Sequence, residues 1–143
     1  MEQLNKLYDL ADSNNIAVHD YRMGDIGLSA ASIKFSNKLG IFLDYKQIST
    51  VAEEKVLLSH ELGHCETGAM HNVSSTWETK TRNEYRADKW AVHQLIPFHS
   101  LQNAFICGYT EVWQLAEYFN VTEDFIRTTY RIYQNEGLLS PSV

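Results

Sequence analysis

The chain has 143 residues, of which 44% are hydrophobic and 21% are charged, and its formal net charge is −6. These values are typical of a soluble globular protein, and an acidic chain is poorly suited to binding phosphate backbones over a large surface. No segment is apolar for long enough to span a bilayer, and residues 1–6 lack the features of a signal peptide. The two cysteines do not form a disulfide framework, so we expect a cytoplasmic protein without membrane association, folded as one domain over residues 1–143.

The first third of the chain predicts one helix followed by strands. Apolar residues recur at helical spacing near the start: Leu4, Leu7, Tyr8 and Ala11. This helix is expected to end near residues 14–15. Three segments rich in branched or aromatic residues predict short strands: 16–18, 31–35 and 40–44. Residues 36–40 are expected to form a hairpin turn between the last two strands.

The strongest chemical pattern is His-Glu-Leu-Gly-His, which begins at His60 and ends at His64. Thr50 predicts an N-cap and Gly68 predicts a C-terminal stop, which gives a mostly buried helix of about 16 residues. Residues four apart lie on one face of a helix, so both imidazoles can bind one metal ion. Glu61 is the residue type that acts as a base on water in zinc hydrolases.

Catalytic zinc sites usually have three protein ligands, and this chain offers three candidates for the third: Glu84, His71 and His93. Apolar spacing predicts a second helix over residues 81–95, with Glu84 and Asp88 on one face. We predict that Glu84 is the third ligand and that Asp88 accepts the free N–H of a ligating histidine. His71 is one position out of register with the metzincin pattern, and His93 lies on a different face of its helix.

Three pieces of sequence together resemble the ImmA/IrrE family of bacterial and phage metallo-endopeptidases, which are gluzincin-like. They are His-Glu-Leu-Gly-His at residues 60–64, Glu-Tyr-Arg-Ala-Asp-Lys-Trp-Ala at residues 84–91 and Leu-Ile-Pro at residues 95–97. The resemblance implies an α+β, zincin-like domain. Such a domain has a short mixed sheet, a helix with the His-Glu-x-x-His motif, a second ligand helix and a helical C-terminal part.

The resemblance also implies roles and a reaction. Glu61 is then the base, and Asp88 supports a ligand. The implied ligands of one Zn²⁺ are His60, His64 and Glu84. A mixed set of histidine and carboxylate ligands also suits Mn²⁺. The implied activity is that of a zinc-dependent endopeptidase whose substrate is a helix-turn-helix transcriptional repressor of a phage, a mobile element or a stress response. In peptidases of this kind an edge strand beside the metal holds the substrate backbone, and one of the last two predicted strands is the candidate.

Residues 98–143 predict a helical C-terminal subregion that follows a catalytic core over residues 1–97. Thr110 and Thr122 are expected helix caps, and residues 116–122 resemble the turn of a helix-turn-helix. The charges of the helix that follows sum to zero, so we interpret it as a packing or partner-binding unit and do not expect direct nucleic-acid binding. The alternative to a peptidase is a non-catalytic repressor-binding module whose metal is structural or absent.

Overall fold

A computed structural model describes residues 1–70 and 76–140 of the chain. Within these ranges the fold is α+β, as the sequence predicts. The helices are α1 (Glu2–Ser13), α2 (Val51–Thr67), α3 (Trp77–Leu95), α4 (Phe98–Ile106), α5 (Val112–Phe119) and α6 (Glu123–Asn135). The strands are β1 (Ile16–Asp20), β2 (Ala30–Phe35) and β3 (Lys38–Leu43). Short 3₁₀ turns lie at Gly24–Ile26 and Tyr45–Gln47.

The three strands form a small mixed sheet in the order β1-β3-β2. The central strand, β3, pairs parallel with β1 and antiparallel with β2. Ile41 and Leu43 of β3 are fully buried in the same hydrophobic cluster as Leu58 and Leu62 of α2. Since α2 contacts both β2 and β3, the edge strand β2 lies beside the helix that carries the two histidines.

The hairpin between β2 and β3 is tighter than the sequence suggested. The predicted turn over residues 36–40 is wrong, because β3 already begins at Lys38. Ser36 and Asn37 form a two-residue turn in which both φ angles are positive, at 50° and 65°. Such turns match the twist of antiparallel strands. Gly40, which looks like a turn residue in the sequence, lies inside β3.

The ends of α2 agree with the sequence prediction. The Thr50 hydroxyl accepts a hydrogen bond from the N–H of Glu53 at 3.1 Å. Gly68 ends the helix in the left-handed region, at φ 70°, a conformation that favours glycine because it has no Cβ. These local signals fix where the helix starts and stops, and Leu58 and Leu62 bury it against the sheet.

Helix α3, which carries Glu84 and Asp88, is longer than predicted. It begins at Trp77 rather than at residue 81, and Thr76 caps it by accepting from the N–H of Thr79 at 3.1 Å. The indole of Trp77 is exposed, so no buried apolar residue marks this first turn and a periodicity argument misses it. The end at Leu95 agrees with the prediction.

The C-terminal helices form as predicted, with one change at a cap. Thr122 caps α6 by accepting from the N–H of Phe125 at 3.2 Å. The predicted Thr110 cap of α5 is wrong: Glu111 is the N-cap. The side chain of Gln114 accepts from the backbone N–H groups of both residues at 3.1 Å. Within the described ranges, none of the helices combines the length and apolar character needed to cross a membrane.

Helices α2 and α3 approach each other closely at Gly63 and Ala87. A Cβ atom added to Gly63 would lie 2.5 Å from the carbonyl oxygen of Ala87 and 2.9 Å from its Cα. Both distances are far inside van der Waals contact, so the backbone of α3 occupies the space that any larger side chain needs. Ala87 lies between Glu84 and Asp88 in the sequence, and the close approach brings both carboxylates to α2.

Substituting Gly63 by alanine tests this close packing. In an unobstructed helix, alanine is more stable than glycine by about 1 kcal/mol. At Gly63 the added methyl group meets backbone atoms that cannot rotate away. We therefore expect Gly63→Ala to lower the free energy of unfolding by about 1–3 kcal/mol. Chemical denaturation in the presence of a chelator measures this change without a contribution from metal binding.

Gly24→Ala is the matched control, because a Cβ atom at Gly24 would meet only the flexible side chain of Gln47, at 3.6 Å. We expect its free energy of unfolding to stay within about 0.5 kcal/mol of the wild-type value. A Gly63→Ala protein as stable as this control would contradict the packing described here.

Candidate metal centre

His60, His64 and Glu84 come together between α2 and α3. The Nε2 atoms of the two histidines are 3.2 Å apart. The carboxylate of Glu84 places Oε2 2.8 Å from Nε2 of His60 and Oε1 3.0 Å from Nε2 of His64. One ligand atom from each of the three residues lies within 4.8 Å of the others. These three side chains therefore form a group that could hold a metal ion.

The spacing of these donors suits a tetrahedral ion. With zinc–ligand bonds of about 2.0–2.1 Å, neighbouring ligands of a tetrahedral site lie about 3.3 Å apart. The nitrogen pair, at 3.2 Å, has this spacing, and the carboxylate oxygens are slightly closer. Two histidines and one carboxylate leave the fourth position open. The side chain of Glu84 is 47% exposed and that of His64 only 4%, so the site opens to solvent on the side of α3.

Hydrogen bonds behind the two imidazoles fix their orientation. His60 Nδ1 donates to Asp88 Oδ1 at 2.8 Å, and His64 Nδ1 donates to the carbonyl oxygen of Ala69. A carbonyl oxygen can only accept, so the neutral His64 ring carries its proton on Nδ1 and directs the lone pair of Nε2 into the site. The Asp88 carboxylate acts in the same way on His60 and makes that ring a better ligand.

The electrostatics of the site favour a positive charge. Burial acts to lower the pKa of His60, but hydrogen bonds with Asp88 and Glu84 outweigh it and raise this pKa to about 10. For His64, burial again opposes the change, while Glu84 and the Ala69 carbonyl raise the pKa. Metal ions compete with protons for such ligands. The carboxylates around His60 and His64 that stabilise a proton on these rings would also stabilise a metal cation bound there.

Glu61 lies beside the donors without being one of them. It is only 7% exposed. Burial raises the pKa of its carboxyl group, whereas His60, His64 and a hydrogen bond from Ser32 act to lower it. Ser32 belongs to the edge strand β2, so the Glu61 carboxylate is within reach of both the histidines and the sheet edge. A carboxylate with a raised pKa can accept a proton near neutral pH more readily than an ordinary one.

Of the three candidates for the third ligand, Glu84 is the one whose side chain contacts both His60 and His64. His93 instead pairs with Glu136, with its Nε2 2.8 Å from Oε1. His71 lies outside the described residues. Asp88 contacts His60 at Nδ1, whereas Nε2 of the same ring faces His64 and Glu84, so Asp88 has the position expected of a supporting carboxylate.

Two contacts of the site were missed from the sequence. The carbonyl of Ala69 is a backbone group, and the only sequence signal for it is Gly68, whose left-handed conformation turns the chain back after α2. Ser32 reaches Glu61 from a strand that is distant in sequence. A serine in a short strand carries no signal of its own.

The fold and the donor group together define a metallopeptidase-type domain: an α+β fold with two histidines four residues apart on one helix and a carboxylate from a second. The family model of the IrrE N-terminal-like domain, Peptidase M78, matches residues 14–131. The chain therefore belongs to this family, which confirms the resemblance seen in the sequence. Searches of curated proteins and of solved structures found no match. Family membership supports a metallopeptidase-type function.

Replacing Asp88 by asparagine tests the support of His60. Asparagine is close to aspartate in size but has no charge, so the His60 ring loses part of its orientation and basicity. We expect the zinc affinity of Asp88→Asn to fall by about 10- to 100-fold. Competition with a chromophoric chelator measures the affinity.

Asp124→Asn provides the matched control. Asp124 is almost fully exposed and pairs with Arg127 on α6. The Asp124→Asn variant therefore loses the same charge as Asp88→Asn, but at a position away from the donors. An equal loss of zinc affinity in both variants would mean that net charge, and not the contact with His60, is responsible.

Proposed function

We propose that this protein is a zinc-dependent endopeptidase. The observation that carries the proposal is a buried carboxylate, Glu61, beside three donors with the spacing of a zinc site. The ligands in this proposal are His60, His64 and Glu84, with Asp88 supporting His60. The donor group also tolerates Mn²⁺, but two imidazoles favour zinc over harder ions.

The chemistry divides between the metal and Glu61. A zinc ion held by His60, His64 and Glu84 would supply Lewis-acid chemistry, which makes water a better nucleophile at neutral pH and polarises a carbonyl group. Glu61 accepts the proton of the attacking water and delivers it to the amine nitrogen as the peptide bond breaks. Burial supports this role, because it raises the pKa of the Glu61 carboxyl group and so makes the carboxylate a better proton acceptor.

The edge strand β2 supports a binding mode for the substrate. Its backbone groups on the side away from β3 are available to an extended peptide, which adds to the sheet as a fourth strand. Ser32 of β2 contacts the Glu61 carboxylate. A peptide lying along this strand therefore has its backbone next to the base and the donors.

For the substrate we propose a helix-turn-helix transcriptional repressor of a phage, a mobile element or a stress response. Support comes from the family resemblance and from the net charge of −6, which attracts a basic partner such as a DNA-binding domain. We propose no direct role in DNA binding for α6. Its Arg127 pairs with Asp124 at 2.9 Å and its Arg131 with Asp88 at 3.3 Å, so both cations already contact carboxylates.

Glu61→Gln tests the endopeptidase directly. Glutamine keeps the size of the side chain but cannot accept the proton, so we expect cleavage to fall by at least about 10²-fold while one zinc per chain is retained. Mass spectrometry of a panel of purified helix-turn-helix repressors after incubation measures cleavage. Metal analysis of the same samples measures zinc.

Glu66→Gln is the matched control, since Glu66 lies five residues further along α2 and accepts a hydrogen bond from Asn14. It should cleave at the wild-type rate. Undiminished cleavage by Glu61→Gln would remove Glu61 as the base. A wild-type protein that binds a repressor with zinc present and leaves it intact would favour the non-catalytic binding module.

A further inference from the structure

Arg131 of α6 lies behind the carboxylate that supports His60. One oxygen of Asp88, Oδ1, accepts from His60 Nδ1 at 2.8 Å. The other, Oδ2, accepts from Arg131 Nη2 at 3.3 Å. Each oxygen of Asp88 therefore has its own partner, and a continuous line of contacts runs from the C-terminal helix through α3 to a proposed metal ligand.

Packing and a hydrogen bond fix the position of α6 next to Arg131. The two residues that follow it, Ile132 and Tyr133, are fully buried. The Tyr133 hydroxyl also donates to the carbonyl oxygen of Ile96, just beyond α3, at 2.6 Å. The backbone at Arg131 therefore has a defined position relative to α3, although its own side chain is 55% exposed.

A second contact guides the guanidinium group. Its Cζ atom lies 6.0 Å from the centre of the Tyr85 ring, at the outer limit of a cation–π interaction. The Tyr85 hydroxyl in turn accepts from the side chain of Asn135 at 3.3 Å. The ring and the Asp88 carboxylate together limit the directions that the long Arg131 side chain can take.

We propose that Arg131 is a positioning residue of the metal centre, which holds Asp88 Oδ2 so that Oδ1 stays on His60 Nδ1 and thereby strengthens zinc binding. The inference rests on the zinc site of the proposed function. In this proposal the C-terminal helix α6 contributes to the metal centre, because its Arg131 helps to hold His60 of α2 in place.

Two physical effects of Arg131 have opposite signs, which makes the inference testable. A partly exposed ion pair contributes little to folding stability, but its loss frees the Asp88 side chain to adopt other χ1 rotamers and carboxylate orientations. Weaker zinc binding follows. The positive charge of Arg131 by itself repels a metal cation. If Arg131 acted only through its charge, replacing it with a neutral residue would make zinc binding tighter.

Arg127 provides a matched control one turn earlier on the same helix. Its side chain is 59% exposed, against 55% for Arg131. Its partners are Asp124 at 2.9 Å and Glu123 at 3.5 Å, both on α6. Replacing Arg127 therefore removes the same charge and a comparable ion pair without touching Asp88.

The experiment is a zinc titration, in competition with a chromophoric chelator, of the full chain and its Arg131→Gln, Arg131→Lys and Arg127→Gln variants. We expect Arg131→Gln to bind zinc about 3- to 10-fold more weakly, a smaller loss than that of a group in direct contact with the ligand. Arg127→Gln should match the wild type, and Arg131→Lys should lie between. The visible spectrum of the Co²⁺-loaded protein should change in Arg131→Gln alone, since it reports coordination geometry.

A double-mutant cycle keeps the test independent of folding effects. In an Asp88→Asn background, Arg131→Gln should cause no further loss of zinc affinity, because the carboxylate through which it acts is gone. An undiminished loss in that background, an Arg131→Gln affinity equal to or tighter than wild type, or an equal loss in Arg127→Gln would each overturn the inference. Absence of zinc binding by the wild type would overturn the proposed function as well, so the two failures are distinguishable.

Discussion

Helices α2 and α3 approach each other closely at Gly63 and Ala87, and this contact sets where His60, His64 and Glu84 lie relative to one another. The donors come from both helices, so the distance between the helix axes sets the distance from the two histidines to Glu84. With 2.5 Å between a hypothetical Cβ and the facing carbonyl oxygen, the helices have no room for a larger side chain. A displacement of about 1 Å in a catalytic group can cost about 10²-fold in rate, so in the proposed enzyme a methyl group at this contact would lower activity as well as stability.

Support for the donor group reaches it from several sides. Asp88 holds His60 from α3, and the carbonyl of Ala69 holds His64 from the turn that follows α2. Both imidazoles are therefore oriented by folding, and little ordering is left for metal binding to impose. The side chain of Glu84 is more exposed than those of the two histidines, so the group opens to solvent on the side of α3. The Glu61 carboxylate also has a hydrogen bond from Ser32, so it lies between the two histidines and the edge strand β2.

The sequence predicted those features that depend on neighbouring residues. The cap at Thr50, the stop at Gly68 and the four-residue spacing of the histidines are local signals, and together they define α2. A partner carboxylate on the next helix could also be predicted, because Glu84 and Asp88 share a face of a helix whose small residues favour close packing. The family assignment followed from the same residues and was confirmed by the family model over residues 14–131.

Other features have no apolar periodicity or turn pattern that identifies them in the sequence, and one depends on a contact between distant segments. The first turn of α3 has an exposed tryptophan, so it lacks a buried face that periodicity could detect. The hairpin register follows from the backbone angles of Ser36 and Asn37, whereas Gly40 suggested a longer turn. Arg131 and Asp88 are 43 residues apart in the sequence. They come into contact only because α6 packs against α3.

The position of a bound zinc ion tests the proposed metal site directly. A crystal of the zinc-loaded protein, with diffraction measured at the zinc absorption edge, locates the ion by its anomalous scattering. We expect one peak per chain, about 2.0–2.2 Å from Nε2 of His60, Nε2 of His64 and a carboxylate oxygen of Glu84. A zinc ion bound elsewhere, or a zinc-loaded chain in which Glu84 is turned away from both histidines, would contradict the proposed site.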